Sequence, residues 1–196
     1  MSDELQQRLD VLLYRLHTAY DGIGHSSGRP YIYFVYPPEQ ERTVQRMIDD
    51  QLRSDTTLCI HHVDLLPMTI KSLAGQEERR QQLLNDPLKQ SGTAEAIMRL
   101  WARTLSREIT TRLEQTTQQG KRPVVVLRGL VSLHPLGNPT ALMEFLAEQE
   151  PRDPGTNTVI PIVLLIPGIR PPQSSRRYLF LGQERLRFDF YRGEEM

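Results

Sequence analysis

The sequence predicts an α/β fold: a single domain, mostly parallel sheet with helices on both faces, and a C-terminal edge hairpin. Three observations carry this expectation. Four short apolar runs, Tyr31–Tyr36, Thr57–Val63, Val124–Leu127 and Val159–Ile166, read as strands, and the first, β-branched and aromatic without polar alternation, suits a strand covered on both faces. Segments with apolar residues every three or four positions separate them. Strands alternating with helices imply right-handed crossovers and parallel pairing. The chain has 196 residues, 38% hydrophobic and 24% charged, which is enough to fill one core.

The elements follow in order. Leu5, Leu9, Leu12, Leu16 and Tyr20 predict an N-terminal helix within residues 1–22, with Ser2 as N-cap, and Gly22 to Gly28 stops it. The first strand, Tyr31–Tyr36, ends at Pro37-Pro38-Glu39, and proline is tolerated in the first turn of the helix that follows. Val44, Met47, Ile48 and Leu52 mark the buried stripe of that helix. A second strand spans about Thr57–Val63, and a helical patch over Leu65–Leu73 ends at Gly75. The polar stretch Gln76–Gln90, anchored only by Leu83, Leu84 and Leu88, reads as a short helix or connection outside the sheet. Ile97, Trp101, Leu105, Ile109 and Leu113 repeat every four residues in a long helix over Thr93–Gln118, closed by Gly120. After the third strand, Asn138-Pro139 pairs an N-cap with proline at the first helical position. Pro167-Gly168 is expected to stop the fourth strand. Tyr178–Leu181 and Arg185–Phe190 then form a hairpin whose Leu186, Phe188 and Phe190 face one way, with Arg187 and Asp189 facing the other.

Composition excludes several classes of function. Lys+Arg and Asp+Glu number 24 each, so the zero net charge opposes a domain-wide footprint for nucleic acid or anionic membrane. A single cysteine, Cys59, excludes an intrachain disulfide and a multi-thiolate zinc site. The acidic start, Met1-Ser-Asp-Glu, is unlike a signal peptide, and the longest apolar stretch is far short of the ~20 residues that span a bilayer. A cytoplasmic chain with no membrane partner is the expectation.

The search for chemistry centres on the carboxyl ends of the strands, where such sheets bind ligands. A phosphate cradle needs glycines and a lysine in the first of these turns; Pro37-Pro38-Glu39 removes N–H donors and adds a negative charge. The Gly22–Gly28 segment precedes the strand and lacks Gly-Lys-Ser/Thr. His61 and His62 are neighbours on a strand and point to opposite faces, so the reading of a half-buried strand end outweighs metal ligation. Ser132, His134 and Asp64 form a nominal hydrolytic triple, but no Gly-x-Ser-x-Gly elbow is present and loop packing accounts for them better. No cofactor and no metal site are expected.

A basic cluster closes the chain. Arg170, Arg176, Arg177, Arg185, Arg187 and Arg192 against Glu184 and Asp189 leave six minus two, a local charge of +4 between Gly168 and Gly193. Contact with a protein partner's acidic rim ranks first for it, a solvated edge second and nucleic acid third.

The ordered landmarks resemble the BrxB family of bacterial BREX phage-defence systems. They are Phe34-Val-Tyr-Pro-Pro-Glu39, Val63-Asp-Leu-Leu66, Val124 to Pro135, Leu164-Leu-Ile-Pro-Gly168, Leu179-Phe-Leu-Gly182 and Phe188-Asp-Phe-Tyr-Arg192, spanning residues 30–192. The stretch Leu133 to Thr140 departs from the aromatic, arginine, Ser-His pattern of that family. The resemblance implies a fold similar to a P-loop NTPase-like domain lacking the phosphate loop. It also implies a non-catalytic assembly role supporting host DNA methylation and phage exclusion. The implied partner is a PglZ-like protein of the alkaline-phosphatase superfamily, beside the BREX ATPase and methyltransferase. The family has no catalytic residues to carry over. The candidate contact residues are Glu39, Arg170, Arg176, Arg177, Arg185 and Arg187. A nucleic-acid-binding module using the C-terminal arginines is the alternative, and a nucleotide-handling enzyme is a third reading.

Overall fold

Apolar strands covered on both faces need two layers of helices, and the chain supplies them. The computed structural model describes residues 2–24, 28–75, 77–86, 90–117, 120–172 and 176–196. Helix α1 (Ser2–Thr18) precedes β1 (Tyr31–Tyr36), α2 (Glu41–Gln51) and β2 (Leu58–Asp64). Helices α3 (Leu65–Leu73), α4 (Glu77–Leu84) and α5 (Gln90–Thr117) lead to β3 (Arg122–Arg128), then α6 (Pro139–Ala147) and β4 (Ile162–Ile169). The chain ends with β5 (Arg177–Phe180), β6 (Arg187–Asp189) and β7 (Gly193–Glu195).

Strands β2-β3-β4-β1-β7 lie side by side in that order, and every pair along this path is parallel. The two-residue period sorts their side chains. Ile32, Phe34, Tyr36, Val124, Val126, Val163 and Leu165 face α1 and α2, where Leu5, Leu9, Leu12, Leu16, Val44 and Ile48 complete one core. Tyr31, Tyr33, Val35, Val125, Leu127, Ile162, Leu164 and Ile166 face the other way, onto α3, α5 and α6. All five stripe residues expected in the long helix, Ile97 to Leu113, are buried there. Asn138 caps α6 as expected, its side chain accepting the Ala141 N–H at 3.0 Å. Ser2 is itself the first helical residue of α1, and Leu88 and Gln118 lie outside the described residues.

Three expectations change. The fourth strand begins later and runs through Pro167-Gly168 to Ile169. Tyr36, the last residue of β1, pairs with Pro167, so the missing proline N–H falls where the parallel neighbour ends. At Gly168 a side chain would meet Leu179 O at 2.7 Å, so glycine is what lets β5 come alongside. Second, the β5–β6 hairpin does not lie on an edge of the parallel sheet. It pairs antiparallel with Gly168 and Ile169 and stands over the carboxyl end of β4, between the neighbours of that strand. Third, the strand on the β1 side of the sheet is β7, three residues with little β preference of their own.

The outer side of β2 and the outer side of β1 find partners in different ways. On β2, Asp55 Oδ1 accepts the Thr57 and Leu58 N–H groups at 2.7 and 2.8 Å, and the Asp55 N–H returns to Leu58 O at 3.0 Å. Ser54 Oγ accepts the Ile60 N–H at 2.8 Å, and Arg112 donates to His62 O at 3.0 Å. On β7, arginines from distant elements hold the short strand.

Candidate functional site at the carboxyl end of the sheet

Strand β1 delivers Tyr36 to a turn with few free donors. Pro37 leads into a 3-10 turn, Pro38–Gln40, and α2 begins at Glu41. The Tyr36 hydroxyl donates to Glu41 Oε2 at 2.7 Å and the Gln45 amide to Glu41 Oε1 at 2.8 Å. Arg128, at the end of β3, donates to Gln45 Oε1 at 2.8 Å and to Asp49 Oδ1 at 2.9 Å. Burial, reinforced by Glu41, raises the Tyr36 hydroxyl far above the ordinary tyrosine range, so it stays protonated and acts as a donor. The first turn of α2 therefore faces a carboxylate, and exposed Glu39 stands beside it. This arrangement disfavours a bound polyanion at the position where a phosphate loop would grip one.

Strand β2 ends at Asp64, whose carboxylate caps α3 by accepting the Leu66 N–H at 2.9 Å. Gly129 follows β3 with φ of 69°, and a side chain there would strike Asp64 Oδ1 at 2.5 Å. The Ser132 hydroxyl donates back to Gly129 O at 2.8 Å. Asp64 and Ser132 are thus engaged in a helix cap and a turn, the loop-packing roles the sequence favoured. His62 contacts Leu52 O through Nε2 at 2.9 Å, and the positive charge of Arg112 on α5 acts on both imidazoles. Burial lowers the pKa of both imidazoles, keeping them neutral. No group of three or more His, Cys, Asp or Glu able to hold a metal ion occurs among the described residues. A cleft of about 490 Å³ opens between α3 and α5, lined by Asp64, Lys71, Ser72, Thr104, Glu108 and Arg112.

Strand β4 ends under the hairpin. Ligands of open α/β sheets bind where the connections of neighbouring strands leave for opposite faces. Here β1 continues to α2 on one face and β3 to α6 on the other, with β4 between them. The hairpin fills that crevice. The Leu181 N–H donates to Pro167 O at 2.9 Å, and a side chain on Gly182 would meet Ile169 Cδ1 at 3.2 Å and Pro38 Cγ at 3.9 Å. Tyr178 stacks on Phe190 at 5.3 Å between ring centres, and its hydroxyl lies 2.9 Å from Thr140 Oγ1. Leu186, Phe188 and Phe190 pack against the core, as the alternation predicted.

The candidate contact residues do not form one open basic patch. Arg170 Nε lies 2.7 Å from Glu195 Oε1, Arg177 donates to Asp189 Oδ1 at 2.8 Å, and Arg187 pairs with Glu184. Arg185 donates to Gln183 Oε1 at 2.9 Å, and exposed Arg176 receives the Phe190 N–H on its carbonyl. Counting Glu194 and Glu195, which lie just past the window used above, lowers the local charge from +4 to +2. The structure adds two sets of residues that sequence reasoning missed. One is apolar and exposed: Leu66 and Ile70 on α3, 52% and 65% exposed, with Val131, 45% exposed, on the 3-10 turn that packs against α3. The sequence places both α3 residues in the helical patch Leu65–Leu73, and only the fold shows that their side chains stay exposed. The other is Arg8 and Arg15 of α1, which join Arg170 around β7 and had no local signal.

No helix among the described residues is long and apolar enough to cross a membrane. Comparison with protein-family models, with curated proteins and with solved structures finds no match to this chain.

Proposed function

We propose that this protein is a non-catalytic assembly component of a BREX-type phage-defence complex that docks onto a PglZ-like partner. The observation that carries the reading is the filled carboxyl end of the sheet. The first turn holds Pro37, Pro38, Glu39 and the Tyr36–Glu41 pair, and the β5–β6 hairpin occupies the crevice beside it. A sheet of nucleotide-domain type, with β1 flanked by β4 and β7, here carries protein side chains where a ligand would sit. The family resemblance of the landmarks supplies the identity of the system and of the partner.

Leu66, Ile70 and Val131 support docking, because large apolar side chains left exposed together at one end of a sheet mark contact surfaces. The pairing of Arg170, Arg177 and Arg187 with carboxylates supports protein contact over nucleic acid, since fewer cations remain to neutralise phosphates. Co-purification with a PglZ-like protein of the same cell tests the reading. A stable complex is expected, and Ile70→Glu should abolish it without unfolding the protein. Failure of the unaltered proteins to associate at micromolar concentration would reject the reading.

A further inference from the structure

We propose that the outer edge of β1 is a strand-acceptor groove for an acidic segment led by glycine, filled in cis by residues 193–196 and taking a segment of the same chemistry from a partner protein. The proposal deepens the docking role above and rests on it. Residues 193–195 pair parallel with β1, Gly193 opposite Tyr31 and Glu195 opposite Tyr33, and the Met196 N–H donates to Tyr33 O at 3.1 Å. Such backbone pairing gives affinity without sequence preference; the side chains around it supply the preference.

Each position of the occupant is read. At 193 a side chain would meet Tyr31 O at 2.7 Å and crowd the Tyr33 ring, so glycine is required. At 194, Arg15 of α1 donates to both carboxylate oxygens, at 2.9 and 3.0 Å. At 195, Arg170 lies 2.7 Å from Oε1 in a site where the carboxylate is only 10% exposed. At 196, Arg8 donates to the main-chain oxygen at 2.7 Å, and the methionine packs against the core shared by α1 and β1. Arginines from α1 and from the end of β4 thus converge on a strand too short and too polar to hold the sheet by propensity.

The occupant is also built to come away. Tyr191 is fastened by two hydrogen bonds to the Tyr33 hydroxyl, its N–H donating at 3.1 Å and its carbonyl accepting at 2.9 Å. The next residue, Arg192, has φ of 44°, a left-handed conformation strained for a non-glycine residue. Beyond that hinge the segment is joined to the rest of the molecule by one ladder, by its ion pairs and the Arg8 hydrogen bond, and by the packing of Met196. An acidic partner segment would replace those contacts one for one.

The test vacates the groove without touching it. Gly193→Val removes the native occupant by steric conflict and leaves Arg8, Arg15 and Arg170 in place. A fluorescent synthetic pentapeptide, Arg-Gly-Glu-Glu-Met, should bind this variant saturably and at least about tenfold tighter than it binds the unaltered protein, a difference of ~1.4 kcal/mol. The same peptide with valine for glycine should not bind, and adding Arg15→Glu to the variant should abolish binding. Should Gly193→Val fail to fold, Glu194→Arg with Glu195→Arg ejects the segment by charge, and the same peptide measurement decides. Equal binding to variant and unaltered protein, or no saturable binding at millimolar peptide, overturns the groove. A concentration-dependent dimer that exchanges this segment would make a second copy the occupant and overturn the partner assignment. Peptide failure with the PglZ-like complex intact rejects the groove alone; peptide binding without that complex rejects the named partner alone.

Discussion

The two edges of the sheet solve one problem in opposite ways. An edge strand exposes unpaired N–H and C=O groups that invite another chain. On β2 most of the closure is local: Ser54 and Asp55 satisfy Leu58 and Ile60 from within six residues, and Arg112 adds one bond from α5. On the far side, closure comes from β7, held by Arg8, Arg15 and Arg170, the first two about 180 residues away along the chain. A seal made by adjacent residues forms with little loss of chain entropy and is insensitive to salt. A seal made by distant charges depends on the whole fold and on ionic strength.

The difference can be broken or sharpened by experiment. The largest effect is expected from Ser54→Ala. It leaves the N–H of Ile60, only 8% exposed, without its acceptor, and should destabilise the protein by about 1–3 kcal/mol in urea unfolding. A loss below a few tenths of a kcal/mol would mean water serves equally well and the edge is not sealed by that residue. A smaller effect is expected at the other edge. A cycle of Arg15→Glu, Glu194→Arg and the pair combined should give a coupling of about 0.5–1 kcal/mol. That coupling should shrink in high salt while the Ser54 effect does not. Equal salt response at both edges would erase the distinction.

The smallest effects are in pH, and they carry opposite signs. The N–H groups of Leu58 and Thr57 hold the Asp55 carboxyl below its ordinary value. Its stabilisation is therefore complete above the ordinary aspartate pKa and is lost as pH falls through the depressed one. Burial raises the Glu195 carboxyl, with Arg170 and Arg8 opposing the rise. The folded state takes up that proton first, so this group adds stability as pH falls through the raised value. Thermal unfolding of Asp55→Asn and Glu195→Gln across the carboxylate range should show the two slopes diverging from the unaltered protein in opposite directions. Parallel slopes would contradict the assignment.

How much of this was legible follows the same division. Tyr31–Tyr36 and the Asn138-Pro139 helix start were readable because the run and the cap are complete in adjacent residues. The sheet-end turn was readable as hostile to phosphate because two prolines and an acid stand together there, but its Tyr36–Glu41–Gln45–Arg128 network joins three elements and had no local trace. The passage of β4 through Pro167-Gly168 was hidden, since a breaker pair ends a strand only if its neighbours still need those N–H groups. Strand β7 was illegible altogether: Gly-Glu-Glu becomes a strand only because Tyr33 and three arginines wait for it. The charge of the closing segment was overestimated for the same reason, as Glu195 lay past the counted window and pairs with Arg170.

The lone tryptophan, Trp101 of α5, is 3% exposed in the core that α5 forms with the sheet, on the opposite face from α1. Its emission should be blue-shifted in the native protein and move to the red only when that core opens. Residues 193–196 lie along the outer edge of β1, and their release should leave the signal still. The molecule thereby carries an internal optical control: a probe on the closing segment that moves while the indole stays silent reports detachment, and one that moves with it reports collapse of the fold.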